Sequence, residues 1–556
     1  MKKIAFENIL DFKKITPSFY YFILIVLLIA ITDVIFGVIN EQYEAAFLGI
    51  ITTFSLFLVP VWLFRNNLRL YAWLLLPIVL FVPITFACFL FYNVPINDSI
   101  VILAINTNAH EAYELLKGFT FPFLIIMLIV GFAYYMLLKK VPQKISNKQG
   151  LTISIFSLLI ILTFPLYNGN QPTYGQKLRA RFYTVYPTTL IYALGVVYNQ
   201  AQLLESTEDQ RNSFHFNANQ VPPITQKQVY ILVLGESARF DHFGINGYKR
   251  NTSPKLGQRN NLLSFKNVTS GAYITEYAVP LIITGVGADN FQQHYKQTSI
   301  VSAFKEAGFN TYWISNQIDI GHINVHVVEA DQKELLLTDF KATKNTRTDR
   351  DLLAALDKVL KEPGDKKFII FHHLGSHYDY SARYPDSYDF FKPSNKTVFS
   401  QANDAKMKDV IINSYDNSIL YTDNTIDSII TLTKEQNAVS SVFYISDHGE
   451  NLFDDKQGLS QHAYAKPSKH IAHVPFFIWY SDALQQAKPE QIKNLEANIG
   501  KKASSQNVFF TYTNLVGINF NGNDVLKSLG SAKFKEAPQR ILGGASIVYD
   551  CDSLSK

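Results

Sequence analysis

Five apolar runs crowd the first 170 residues, near positions 18–39, 45–64, 70–92, 119–138 and 151–167. Each is long enough to cross a hydrocarbon core of ~30 Å as a helix. The first is long and lacks small-residue cleavage signals, so it reads as an anchor rather than a removable leader. Flanking charge orients the set. Lys2, Lys3, Lys13 and Lys14 precede the first run, Arg65 and Arg69 separate the second from the third, and Lys139, Lys140, Lys144 and Lys148 separate the fourth from the fifth. The other two loops carry Glu41, Glu44, Asp98, Glu111 and Glu114 against a single base, Lys117. The positive-inside rule puts the N-terminus in the cytoplasm. Five crossings then put everything beyond residue 167 on the far side. Asp33 falls near the outer end of the first run and reads as a solvated interfacial acid. Glu111, Glu114 and Leu115 have helical spacing and predict a short helix at the membrane surface.

Three regions follow: a five-helix transmembrane domain over 1–170, an interfacial helix and linker over 171–225, and a soluble domain over 226–556. In the connector, Tyr183, Tyr186, Tyr192 and Tyr198 suit a segment lying in the membrane interface. The stretch 205–220 is polar and reads as a linker. Beyond 226, strand-like runs at 229–234, 311–314, 368–371, 442–445 and 475–480 alternate with helix-like stretches at 299–307, 349–361 and 415–436. This alternation predicts an α/β domain with a mainly parallel sheet between helices. A formal charge of +5 over 556 residues leaves no nucleic-acid footprint. The two cysteines, Cys88 and Cys551, lack metal or redox spacing and read as unpaired thiols.

Chemistry-bearing residues cluster after the strands. The run Val229–Leu234 stops at Gly235, and Glu236 sits on the turn. In open α/β sheets ligands bind outside the carboxyl ends of strands. His372, His373 and His377 follow 368–371, Asp447-His448-Gly449-Glu450 follows 442–445, and His462 comes shortly after. Strand ends of one parallel sheet share an edge, so Glu236, Asp447 and His448 can reach a common point. Two carboxylates and an imidazole suit zinc or manganese. Ser237 lies outside any Gly-x-Ser-x-Gly elbow and reads as turn chemistry. Thr275 is the better nucleophile candidate. A threonine before an apolar stretch reads as a helix N-cap, where the helix N-terminus favours an alkoxide and a bound phosphate.

Several motifs in this order resemble the membrane phosphoethanolamine transferases of Gram-negative bacteria, in the alkaline phosphatase/sulfatase superfamily. They are Asn106-Thr107-Asn108-x-x-Glu111-Ala112, Gly235-Glu236-Ser237-x-Arg239, Asn246-Gly247-Tyr248-x-Arg250-x-Thr252-x-Pro254, the Val268-Thr269-Ser270…Thr275…Val279-Pro280 segment and Ser446-Asp447-His448-Gly449-Glu450. The resemblance implies transfer of phosphoethanolamine from phosphatidylethanolamine to lipid A or a lipopolysaccharide core sugar, through a covalent intermediate on Thr275. It implies that Glu236, Thr275, Asp447 and His448 bind Zn2+, and that His377 and His462 bind the phosphoryl group or a second zinc. It places Thr107 and Glu111 at positions associated with the lipid substrate. The protein is then a monomer of the bacterial inner membrane with a periplasmic catalytic domain and no nucleic-acid partner. Many family members carry a disulfide across the nucleophile segment; Gly271 and Leu281 stand there in this chain. A phosphoglycerol transferase of the same superfamily is the rival enzyme reading. A membrane-tethered binding protein with a degenerate site is the non-enzymatic one.

Overall fold

The computed structural model describes residues 17–39, 41–92, 96–106, 120–163, 173–182, 185–317, 321–336, 348–398, 404–455, 458–462, 467–543 and 548–554. Contacts divide the chain into two compact units, Met1–Tyr198 and Asn199–Lys556.

The first unit is helical. Three described helices are long and apolar enough to cross a membrane: Pro17–Ile39, Leu68–Phe89 and Thr120–Lys140. Ala46–Trp62 and Asn147–Thr163 are apolar but shorter. The expected run 45–64 is cut because Pro60 lacks an N–H, and the α-helix gives way to a 3-10 turn at Val59–Trp62. The expected run 151–167 passes beyond residue 163, outside the described residues. Phe22, Ile25, Val26 and Ile29 pack with Tyr71, Val79 and Tyr134, while Phe121, Leu128 and Phe132 remain exposed. In a membrane, where tails are as apolar as leucine, such outward rings face lipid. Asp33 is not a freely solvated acid: it is half-buried and accepts a hydrogen bond from the Tyr186 N–H at 2.9 Å.

The second unit is built on a seven-stranded sheet. We number its strands β1 Gln228–Gly235, β2 Leu262–Phe265, β3 Asn310–Ser315, β4 Gln332–Leu335, β5 Lys366–His372, β6 Val439–Ser446 and β7 Phe476–Tyr480. Their order is β2-β7-β6-β1-β5-β3-β4. The pairs β6-β1, β1-β5, β5-β3 and β3-β4 are parallel. β7 runs antiparallel to both β6 and β2, so the sheet is mixed. An antiparallel return needs no crossover helix, and β7 starts where β6 ends, with the Ser446 N–H donating to the Pro475 carbonyl. β2 and β4 carry too few consecutive apolar residues to stand out in the sequence.

The central strands are apolar on both faces because both faces are covered. Tyr230, Leu232 and Leu234 of β1 join one core with Val279, Phe304, Phe443 and Tyr512. Val229, Ile231 and Val233 join the other with Leu356, Tyr415, Ile419 and Ile426. The helix carrying Tyr415 spans Lys408–Lys434, two turns longer at its start than expected. It anchors the Asn246–Pro254 motif: Asp416 accepts from the Tyr248 hydroxyl at 2.9 Å and the Arg250 guanidinium at 2.7 Å, and lies 2.6 Å from His242 Nδ1.

The polar stretch 205–220 is not a loose linker. Phe216 is buried against Phe509 and Phe520, the Phe216 and Ala218 N–H groups donate to Glu306, and Asn219–Gln220 pairs with Ile518–Asn519. Two apolar rings spaced two apart outweigh the polar residues around them.

Asp423 on the long helix accepts from the Lys255 and Leu256 N–H groups, and burial raises its carboxyl from 3.8 to about 7. A carboxyl raised in the folded state contributes stability below its unfolded value and loses it as pH rises through about 7. The thermal midpoint of wild type minus that of Asp423→Asn is therefore expected to fall between pH 5 and pH 8. A difference that stays level or rises contradicts this.

Candidate active site

Four sequence segments meet at the carboxyl edge of the sheet. β1 ends at Gly235, where a Cβ would lie 2.5 Å from the Tyr444 hydroxyl. The next turn puts Ser237 in the left-handed region, at φ 54. Its side chain does not bond the turn backbone as expected: the Ser237 hydroxyl donates to the Glu236 carboxylate, at Oε1, at 2.6 Å. β6 ends at Ser446, and Asp447 follows with its N–H donating to the Gly235 carbonyl at 3.0 Å. The Ser237 and His448 N–H groups donate to Asp447 Oδ1 at 3.0 and 2.6 Å. Asp447 Oδ2 is buried with no hydrogen-bond partner among the described residues. His448 Nδ1 donates to the Gly449 carbonyl at 2.8 Å, which leaves Nε2 as a lone pair on a neutral ring.

Thr275 completes the group. The N-cap of its helix is Ile274, in extended conformation, and Thr275 is the first helical residue rather than the cap. Its hydroxyl is thereby freed from its own helix and donates to Glu236 Oε2 at 2.9 Å, with His448 Nε2 3.3 Å away. His448 Nε2 is 3.3 Å from Asp447 Oδ2 and 3.6 Å from Glu236 Oε1. A tetrahedral zinc with bonds of ~2.1 Å has ligand-to-ligand edges of roughly 3.4 Å. Glu236, Asp447 and His448 are the one metal-competent cluster among the described residues. The residues present therefore fit a zinc ion, and the orphaned Asp447 oxygen is the atom that most needs one.

The electrostatics agree. Burial opposes ionisation of Glu236, but the imidazoles of His448, His377 and His462 and the Ser237 hydroxyl outweigh it and hold the carboxyl at about 2. Asp447 goes the other way, well above the usual carboxylate range, through burial and then the charge of Glu236. Two carboxylates this close do not both ionise without a cation. Burial, then the neighbouring His462, lowers His448 to about 4, so it is a neutral ligand near pH 7.

His462 stacks at a tilt 4.1 Å from the His448 ring, with Nδ1 3.1 Å from Glu450 Oε1. His377 acts electrostatically on Glu236, Glu450 and His462. Both expected histidines are thus at the site. His372 and His373 are buried among aromatic rings, beside Trp313 and Phe371 respectively, and contribute nothing to the metal-competent cluster. Thr107 and Glu111 lie outside the described residues.

Two positioning groups, Gln317 and Asp349, escaped the sequence reading, and a third, Glu450, was named there without a role of its own. Gln317 donates to Glu236 Oε2 at 3.1 Å and to the His373 carbonyl. Asp349 accepts from the Leu374 and Gly375 N–H groups, both at 2.8 Å. Glu450 holds His462, and burial raises its carboxyl to about 8. Gln317 was findable, because it follows β3 on the same sheet edge. Asp349 was not, since it is far in sequence and reaches the site only through the Asn316 amide and two backbone N–H groups. At the position of the absent disulfide, a Cβ on Gly271 would lie 2.8 Å from Leu281 Cδ1. The leucine fills the space and replaces the cross-link by packing.

The fold and this edge-of-sheet site define a class, the sulfatase-type α/β enzymes. Residues 228–518 match the Sulfatase family, and the chain belongs to it. Its relatives narrow the comparison. It is 25% identical to phosphoethanolamine transferase EptC of Escherichia coli (strain K12) over 514 residues, 88% of this chain and 87% of that protein. It is 31% identical over 322 residues to the Kdo(2)-lipid A phosphoethanolamine 7''-transferase of Salmonella typhimurium, covering 56% of this chain and 54% of that protein. The C-terminal periplasmic domain of EcEptC from Escherichia coli, in complex with Zn, is similar with a TM-score of 0.56 and 27% identity, covering 61% of this chain and 96% of that domain.

Gly375 has φ 50, and a Cβ there would lie 2.8 Å from the Glu236 carbonyl oxygen. Gly375→Ala is expected to displace Glu236 and weaken zinc binding about 10–100-fold, the range for a supporting shell. Gly500→Ala, with open space around its Cβ, should leave it unchanged. Competition titration with a zinc chelator reads both; equal affinities would remove Gly375 from the support of the site.

Proposed function

We propose that the protein transfers phosphoethanolamine from phosphatidylethanolamine to lipid A or a lipopolysaccharide core sugar, through a covalent intermediate on Thr275. The carrying observation is the Thr275 hydroxyl, 2.9 Å from Glu236 Oε2 and 3.3 Å from His448 Nε2, beside the unpartnered Asp447 Oδ2. The kinship with phosphoethanolamine transferases supports the transferred group, and the Salmonella relative's name supports lipid A as acceptor.

Glu236, Asp447, His448 and the Thr275 oxygen would hold a zinc ion, which when bound would supply a Lewis acid beside the hydroxyl and offset the two buried carboxylates. Thr275 Oγ1 attacks the donor phosphorus, the bond to diacylglycerol breaks, and the phosphoethanolamine group stays on Thr275. The proton lost by Thr275 is taken up by an imidazole of the His377 and His462 pair, which as imidazolium hands it to the leaving diacylglycerol alkoxide, while the other imidazole binds a phosphoryl oxygen. In the second half the acceptor oxygen attacks the threonine phosphoester, the Thr275 Oγ1–phosphorus bond breaks, and the acceptor's proton passes through the same imidazole to Thr275.

The apolar helices carry this chemistry to the membrane in which both lipids lie. The basic loops keep the N-terminus cytoplasmic, five crossings put the soluble unit in the periplasm, and Thr107 and Glu111 meet the lipid substrate there.

Incubation of the purified full chain with phosphatidylethanolamine, followed by intact mass and peptide mapping, tests the reading. A phosphoethanolamine adduct of about 123 Da is expected on Thr275 and absent from Thr275→Ala. An adduct formed only from phosphatidylglycerol would assign a glycerol phosphate donor instead. No adduct from either lipid on zinc-loaded protein, with no turnover, would sink the transferase reading.

A further inference from the structure

A cavity of about 310 Å³ lies in the soluble unit, with Asp241, Thr269, Lys469, His470, Arg540 and Cys551 in its wall. It is separate from the zinc-competent cluster but tied to it. Ser270, next to Thr269, donates its N–H to the Ala472 carbonyl and its hydroxyl to the Asp447 carbonyl. The Gly449 N–H donates to the Ile471 carbonyl at 2.8 Å. A Cβ on Gly449 would lie 2.1 Å from the His470 carbonyl oxygen, so this wall and the Asp447–Gly449 turn are in direct contact.

The wall carries two cationic side chains, Lys469 and Arg540, against one carboxylate, Asp241. Arg540 is 6% exposed. One of its terminal nitrogens donates to the Asn267 carbonyl and side chain at 3.0 and 2.8 Å, and the other pairs with Asp552. Its Nε has no hydrogen-bond partner among the described residues. A buried guanidinium donor left unpaired is costly. Lys469 is exposed and makes no ion pair among the described residues. His470 Nδ1 faces the Arg239 guanidinium at 2.7 Å and accepts from it, and Nε2–H lies 4.0 Å from Asp454 Oδ2, within reach of a second acceptor. The one carboxylate of the wall, Asp241, is held by Arg239 in a two-point pair at 2.8 and 2.7 Å. Lys469, His470 and Arg540 together with a hydroxyl at Thr269 suit a phosphate, which arginine and lysine recognise through charge-assisted hydrogen bonds. The volume leaves room for more than the phosphate itself.

We propose that this cavity is a second anion subsite, which holds a sugar phosphate of the acceptor glycolipid while the chemistry proceeds at Thr275. This assignment of the acceptor rests on the transferase reading; the anion subsite itself does not. It gives a role to an unpaired cation, Lys469, beside the buried Arg540 guanidinium, both of which the Thr275 site leaves unused.

Cys551, in the cavity wall, is a built-in reporter. Full-length protein in detergent is labelled with methyl methanethiosulfonate, and modification of Cys551 is followed by peptide mass. Inorganic phosphate is expected to slow labelling, and Lys469→Ala to raise the phosphate concentration required by about tenfold, the size of one charge-assisted contact. Arg540→Lys should do the same, and Thr275→Ala should leave protection intact. Lipid A bearing its phosphates should protect at lower concentration than dephosphorylated lipid A. Protection by inorganic phosphate alone overturns the acceptor assignment. Absence of protection by either, together with calorimetric phosphate titrations that are the same for wild type and Lys469→Ala, overturns the subsite. Protection needs no turnover, so a protected chain that never forms the Thr275 adduct refutes the transferase reading and leaves the subsite standing.

Discussion

Two buried carboxylates next to each other are the constraint on which the rest of the soluble unit depends. Glu236 and Asp447 lie on adjacent strand ends, both essentially inaccessible to water. Neither would stay charged there without help. The surroundings supply part of it: the Ser237 hydroxyl on Glu236, two N–H groups on Asp447 and a neutral His448 between them. The remainder has to come from a cation, and Asp447 Oδ2 is the atom left open for it.

Such an arrangement needs a rigid frame, because a shift of about 1 Å at a reacting group is costly. The parallel register of β5, β1 and β6 fixes the relative height of the strand ends. Asp349 then gathers the loop after β5, and Gly375 lets that loop pass against the Glu236 backbone. The Leu281 side chain packed against Gly271 steadies the segment that leads to Thr275. A chain with two cysteines, both free, achieves by packing what a cross-link achieves elsewhere. The same connectivity couples the Asp447–Gly449 turn to the wall of the basic cavity.

Much of this was legible in the residues. The runs 229–234, 311–314, 368–371, 442–445 and 475–480 are all strands, because residues buried on both faces must be apolar at every position. Glu236, Asp447, His448 and Thr275 were readable because strand ends of a parallel sheet share an edge. The antiparallel direction of β7 was not, since an apolar run carries no sign of which way it points. The strands β2 and β4 were missed for lack of apolar length. The segment around Phe216 was misjudged because its composition is polar while its two rings decide its fate.

The sequence by itself determined the apolar helices, the order of strands and helices along the chain, and which residue types stand at the strand ends. Those follow from local pattern and chemistry. Only the tertiary structure decided that Thr275 begins its helix instead of capping it, that Gln317, Asp349 and Glu450 support the site, and that Arg540 and Lys469 share a cavity. Each of these depends on groups far apart in the chain coming within a few ångströms, and the energy of that approach is not written in any one segment.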